Sequence, residues 1–103
     1  MNSINSLSNK DKVLDISVNL ARVSDWIFSE TKNSRVDQFL AETREYLSSM
    51  NSEDVSDKFR PTLISFKKEF EKLLKEKDSV GKEEWAEKAL TWANILQHRA
   101  SIA

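Results

Sequence analysis

This sequence predicts an all-α fold, an antiparallel up-down-up-down four-helix bundle, and two composition features and one rhythm point to it. The 103 residues hold a single Gly and a single Pro, whereas β-rich folds draw on glycine for positive φ and tight turns. The chain is rich in Lys, Glu and Leu, residues that lose little on entering a helix. Apolar residues then recur at steps of three and four in successive stretches, separated by short polar breaks. A chain of this length makes one domain and is too short for two. The polar residues 1–8 read as a flexible N-terminal tail, and residues 9–103 as the single bundle domain.

The first helix is expected from about Asn9 to Thr31. Val13, Ile16, Leu20, Val23 and Ile27 form its stripe, with Leu14, Ala21 and Phe28 as a second row seven residues apart. Trp26 widens the other flank, Val18 lies nearly opposite the stripe, and only a strip around Asp15, Arg22 and Ser29 stays polar. Lys32 to Ser34 form a break in which Asn33 or Ser34 can cap the next helix.

Helix two is expected from about Arg35 to Met50. Val36, Phe39, Leu40, Leu47 and Met50 face the core and Tyr46 sits at the edge. Glu53 and Asp54 favour a third helical start, but Pro61 interrupts it, since proline inside a helix costs about 3 kcal/mol and at the first position almost nothing. The spacing therefore predicts a short helical turn from Glu53 to Phe59, a bend at Pro61, and a main helix from Pro61 to about Lys77. One kinked helix is the alternative. The only Gly, Gly81, closes the last break. Helix four is expected from Lys82 to Ser101, with Trp85, Ala89, Trp92 and Leu96 inward and Ala86, Ala93 and Ala100 forming a smooth flank. A three-helix core with one helix displaced is the second arrangement the pattern allows.

The composition also excludes chemistry. A di-iron carboxylate bundle needs two histidines and the chain has one. There is no Cys, so thiolate metal sites and cysteine nucleophiles are ruled out, and one Gly cannot build the common phosphate loops. No cofactor, metal or catalytic centre is expected. Charged residues make up 32% of the chain yet leave a formal net charge of −1. That balance favours neither nucleic acid nor an anionic membrane as partner. The row Lys68, Lys72 and Lys75, interleaved with Glu69, Glu71 and Glu76, reads as a solvated face. No apolar run reaches bilayer length, the start lacks a signal-peptide pattern, and the lack of cysteine fits the cytoplasm.

Three functions remain. The first is a non-catalytic protein-interaction or assembly module. Helices one and four carry more apolar surface than a bundle core needs, and Val18, Trp26, Leu90, Ile95 and Ile102 are the candidate interface, with a homodimer as the expected assembly. The second is a phosphotransfer domain using His98, which falls on the polar side of helix four. The third is a binder of a small apolar ligand, lined by Trp26, Trp85 and Trp92.

Overall fold

The computed structural model describes residues 7–103, and among them it contains four α-helices and no strand. The helices are α1 (Asn9–Trp26), α2 (Asn33–Ser48), α3 (Arg60–Glu76) and α4 (Lys82–Arg99), with single 3-10 turns at Glu30–Lys32 and Ala100–Ile102. The all-α four-helix class expected from the sequence is the class observed. Of the expected tail, residues 1–6 lie outside the described residues. Leu7 packs against the core and Ser8 caps α1, its Oγ accepting from the Asp11 N–H at 3.1 Å. Asp11 adds a negative charge at the positive end of the helix dipole.

α1 ends at Trp26, a turn earlier than its periodicity suggests. The Ser29 and Thr31 hydroxyls hydrogen-bond each other at 3.0 Å, and Ser29 is extended at φ −108°, ψ 117°. The backbone here has left the α-helical ladder for turn bonds, the Ser29 N–H donating to the Trp26 carbonyl at 2.9 Å. The break places Phe28 just outside the helix, where more than half of it is exposed. Neither Asn33 nor Ser34 caps α2, contrary to the expectation. Both lie inside the helix, whose N-cap is Lys32 without a side-chain bond. The preceding 3-10 turn supplies the acceptors instead: the Lys32 N–H bonds to the Ser29 carbonyl and the Asn33 N–H to that of Glu30.

Residues 51–59 form turns rather than the expected helical turn. Val55 and Phe59 nonetheless reach the core, at 5% and 0% exposure, so the apolar rhythm marks burial here and not helix. The Ser56 Oγ accepts from the Phe59 N–H at 3.2 Å, and Pro61 stands in the first turn of α3, where a missing N–H leaves nothing unpaired.

α1 is the central element, packing against α4 and α2, while α3 packs against α4. α2 meets α1 in opposite order along the chain. Asn19 meets Glu42 and Thr43 while Asp15 meets Tyr46, and Ser17 donates to the Ala93 carbonyl at 2.8 Å. The expected alanine flank makes this last approach possible: Ala86, Ala89 and Ala93 are all buried and oppose Ser17 and Ser24, small residues likewise buried. Between α3 and α4, Phe66 lies 5.2 Å from Trp92 between ring centroids. Two ion pairs also cross between α2 and α3 with its C-cap, Arg44 with Glu71 at 3.2 Å and Lys77 with Asp37 at 3.1 Å. Among the described residues, no buried side-chain nitrogen or oxygen lacks a hydrogen-bond partner.

Candidate functional site

The five side chains expected to form an interface do not lie on one surface. Val18 and Leu90 are exposed, at 46% and 45%. Trp26 is half-buried and stacks on Phe39 with centroids 5.2 Å apart. Each ring also carries a cation, Lys32 at 5.5 Å from Trp26 and Arg22 at 5.7 Å from Phe39, an arrangement in which a charge sits against an aromatic face. Ile102 packs against the core in the final 3-10 turn, and its carbonyl accepts a hydrogen bond from Ser56. Ile95 is half-buried and lines a shallow depression with Pro61, Thr62 and Trp92, on the α3 side of α4. Five residues along a helix turn about 140°, so Leu90 and Ile95 look out on different sides of α4.

What joins Leu90 is Phe28, the most exposed large apolar side chain among the described residues, at 54%. The sequence pattern puts Phe28 in a second row with Leu14 and Ala21, beside the core stripe. The signal that could have separated it is the polar Ser29–Thr31 segment immediately behind it, which ends the helix. Phe28, Ala86 and Leu90 form the apolar part of an open depression of about 480 Å³ at the α1–α4 seam. Its remaining lining is Ser24 and three carboxylates, Asp25, Glu83 and Glu87. Among the described residues these carboxylates take part in no salt bridge, and no basic side chain lines the depression. Nor are they placed to share an ion: no group of three or more His, Cys, Asp or Glu among the described residues could hold a metal. The result is an apolar surface with a one-signed acidic rim.

A larger cleft, about 870 Å³, lies between α2 and α3. Leu40, Ala41 and Leu74 supply its apolar lining, and Asp37, Arg44 and Lys77 put both signs of charge around it. The Lys77–Asp37 ion pair spans that cleft.

His98 is exposed in the last turn of α4. The three tryptophans have separate partners: Trp26 lies on Phe39, Trp92 on Phe66, and Trp85, fully buried, donates its indole N–H to the Leu73 carbonyl at 2.8 Å. Two titratable groups are clearly displaced. Burial, then the hydrogen bond to Asp15, raises the Tyr46 phenol well above its usual value of 10.0. The Glu76 carboxylate, hydrogen-bonded at 3.1 Å, raises the Lys88 ammonium. Both are ion-pair or hydrogen-bond clips between neighbouring helices, and neither opens into the seam depression. Among the described residues, no helix is long and apolar enough to cross a membrane.

No known family matches the chain, and no curated protein or solved structure matches it.

Proposed function

We propose that the chain is a non-catalytic protein-interaction module, acting in the cytoplasm, whose contact surface is the α1–α4 seam. One observation carries this reading: Phe28 and Leu90, about half exposed, line one depression together. Isolated exposed apolar residues are ordinary, but neighbouring ones mark contact sites. Fully burying a Phe or Leu side chain is worth about 1.5–3 kcal/mol. With Phe28 and Leu90 already half covered, about half of that remains for each, enough for two under one partner to supply the centre of an interface. Asp25, Glu83 and Glu87 form the polar rim that such centres have.

His98 has exposure in favour of a phosphotransfer role, but it stands one residue before the end of α4, where helices fray. Incubation with a phosphodonor is expected to leave no phosphohistidine. The reading itself is tested with a photo-crosslinking residue at position 90 in native extract. A specific adduct that disappears in Phe28→Asp supports it. The same adduct pattern in wild type and Phe28→Asp removes the seam from consideration.

A further inference from the structure

We propose that the occupant of the α1–α4 depression is a second copy of this chain, docking through the outer face of its α3. The proposal rests on the reading of the seam as a contact surface, and it adds the partner and the partner's face.

The outer face of α3 is the complement of the depression in both respects. Pro61, Ile64, Lys68, Lys72 and Lys75 follow one another at steps of three and four and are all exposed, which places them on one side of the helix. Ile64 is one of four large apolar side chains exposed among the described residues, at 44%, and it is the only one away from α1 and α4. Lys68 and Lys75 enter no salt bridge among the described residues, and Lys72 has only the contact with Glu69 one turn away, at 3.6 Å with 66% of its side chain exposed. The seam thus presents apolar side chains ringed by three unpaired carboxylates, and α3 presents an apolar side chain followed by three lysines.

One molecule cannot bring these faces together. Phe66 packs on Trp92 and Trp85 bonds to Leu73, so Ile64 lies beyond Trp92, toward the C-terminal end of α4. The seam depression opens on the α1 side of α4, whereas α3 packs on α4 through Phe66 and Leu73. The two faces also lie on different helices flanking α4. Joining them takes two chains, and because the faces differ the contact is head-to-tail, closing into a ring or growing as a short string. The contact area is small, so the association is weak. Charge steers and aligns it, which makes it salt-sensitive, since screening acts within about 10 Å at 0.1 M salt.

The test is mass measurement by light scattering and analytical ultracentrifugation on the full chain, at concentrations up to about 1 mM and at low and high salt. Wild type is expected to exceed the 11.9 kDa of one chain as concentration rises, and to return toward it in high salt. Phe28→Asp and Ile64→Asp alter exposed positions, with circular dichroism confirming the fold. Each alone is expected to stay monomeric, and an equimolar mixture to form a one-to-one complex, because each retains the face the other lacks. Glu83→Lys with Glu87→Lys leaves both faces basic, and Lys68→Glu with Lys72→Glu leaves both acidic, so each is expected to stay monomeric alone and the mixture to associate through both contacts. If Ile64→Asp dimerises like wild type while Phe28→Asp does not, the seam pairs with itself and the α3 face is wrong. Wild type that stays monomeric throughout overturns the second copy as occupant and leaves the seam to a different protein. If Phe28→Asp self-associates as wild type does, the contact between copies does not use the seam and the inference falls, while the crosslink from position 90 still decides the seam itself.

Discussion

The indole N–H of Trp85 donates to the backbone carbonyl of Leu73 at 2.8 Å, and that single bond fastens the first turn of α4 to the last turn of α3. Carbonyls in the last turn of a helix run out of intrahelical partners, so a buried ring here fills space and satisfies an acceptor together. Trp85 is completely buried. Trp85→Phe keeps an aromatic ring but deletes the donor and leaves a void. The expected loss is about 2–3 kcal/mol, from the unsatisfied buried acceptor plus the cavity. Trp92→Phe, at a half-buried ring with a packing role only, is expected to lose about 1 kcal/mol. Urea denaturation of the two variants checks the ranking.

Tyr46 makes the stability pH-dependent on the alkaline side. Burial and the 2.8 Å hydrogen bond to Asp15 raise its phenol above the ordinary 10.0, so the folded chain holds that proton after the unfolded chain has released it. Below pH 10 both states are protonated and the contribution is complete. Above it the unfolded state binds fewer protons, and stability falls with a slope of up to about 1.4 kcal/mol per pH unit. Tyr46→Phe removes this dependence. The expected result is a difference in stability between wild type and Tyr46→Phe that is constant from pH 7 to 9 and shrinks from pH 10 upward. At pH 7 the variant is expected to be less stable by about 1 kcal/mol, the ordinary worth of one such bond. Chemical denaturation at stepped pH measures both.

The parts of the fold legible in the sequence were those fixed by periodicity. The stripe Val13, Ile16, Leu20, Val23 and Ile27 is buried along its whole length, because one apolar face must leave water whatever surrounds it. The alanine flank of α4 was legible for the same reason, and it does receive α1. Helix ends were not, because they depend on local backbone and side-chain bonds: turn bonds from the Phe28 and Ser29 N–H groups to the Asp25 and Trp26 carbonyls close α1, and the Ser56 hydroxyl organises the chain ahead of α3. Counting apolar surplus pointed to α1 and α4 but could not tell which surplus was already covered. Trp26 found Phe39, and Ile102 found the core. Asn19 shows the converse, a polar residue at 4% exposure whose amide reaches Glu42 and Thr43. Such a pairing between residues 23 and 24 positions apart leaves no trace in local spacing.

Gly81 is open to improvement. It sits at the N-cap of α4 with φ −62° and ψ 145°, no side-chain cap, and no atom within 4 Å of where a Cβ would stand. Those angles suit any residue, so nothing here requires glycine. Gly81→Ser adds an acceptor for the free N–H groups of the first turn and narrows the unfolded ensemble. A gain of about 1 kcal/mol is expected, equivalent to a rise in Tm of about 4–8 °C for a domain of this size. Differential scanning calorimetry reads it directly, and Gly81→Ala, which lacks the hydroxyl, is expected to gain less.

Arg60 holds the non-helical stretch before α3 in place. Its Nε donates to the Ser52 carbonyl at 2.6 Å, one terminal nitrogen to the Val55 carbonyl at 3.3 Å, and the other to the Asp57 carboxylate at 2.6 Å. These three groups span six residues that have no helical ladder of their own, and Val55 and Phe59 depend on that span to reach the core. A guanidinium meets all three with one planar fork, whereas an ammonium on a flexible stem is a point charge that cannot reproduce the geometry. Arg60→Lys keeps the charge and is expected to lose about 1–2 kcal/mol, from carbonyls left without their charged donor. The Asp57 ion pair contributes little, since that carboxylate is 93% exposed and exposed pairs are worth under about 1 kcal/mol. Asp57→Asn is therefore expected to be nearly neutral while Arg60→Lys is not. Amide hydrogen exchange locates the effect: faster exchange at Phe59 and Arg60 in Arg60→Lys, with α1 unchanged, marks local loosening of this stretch. Uniform acceleration across the chain would instead mean that Arg60 acts only through global stability.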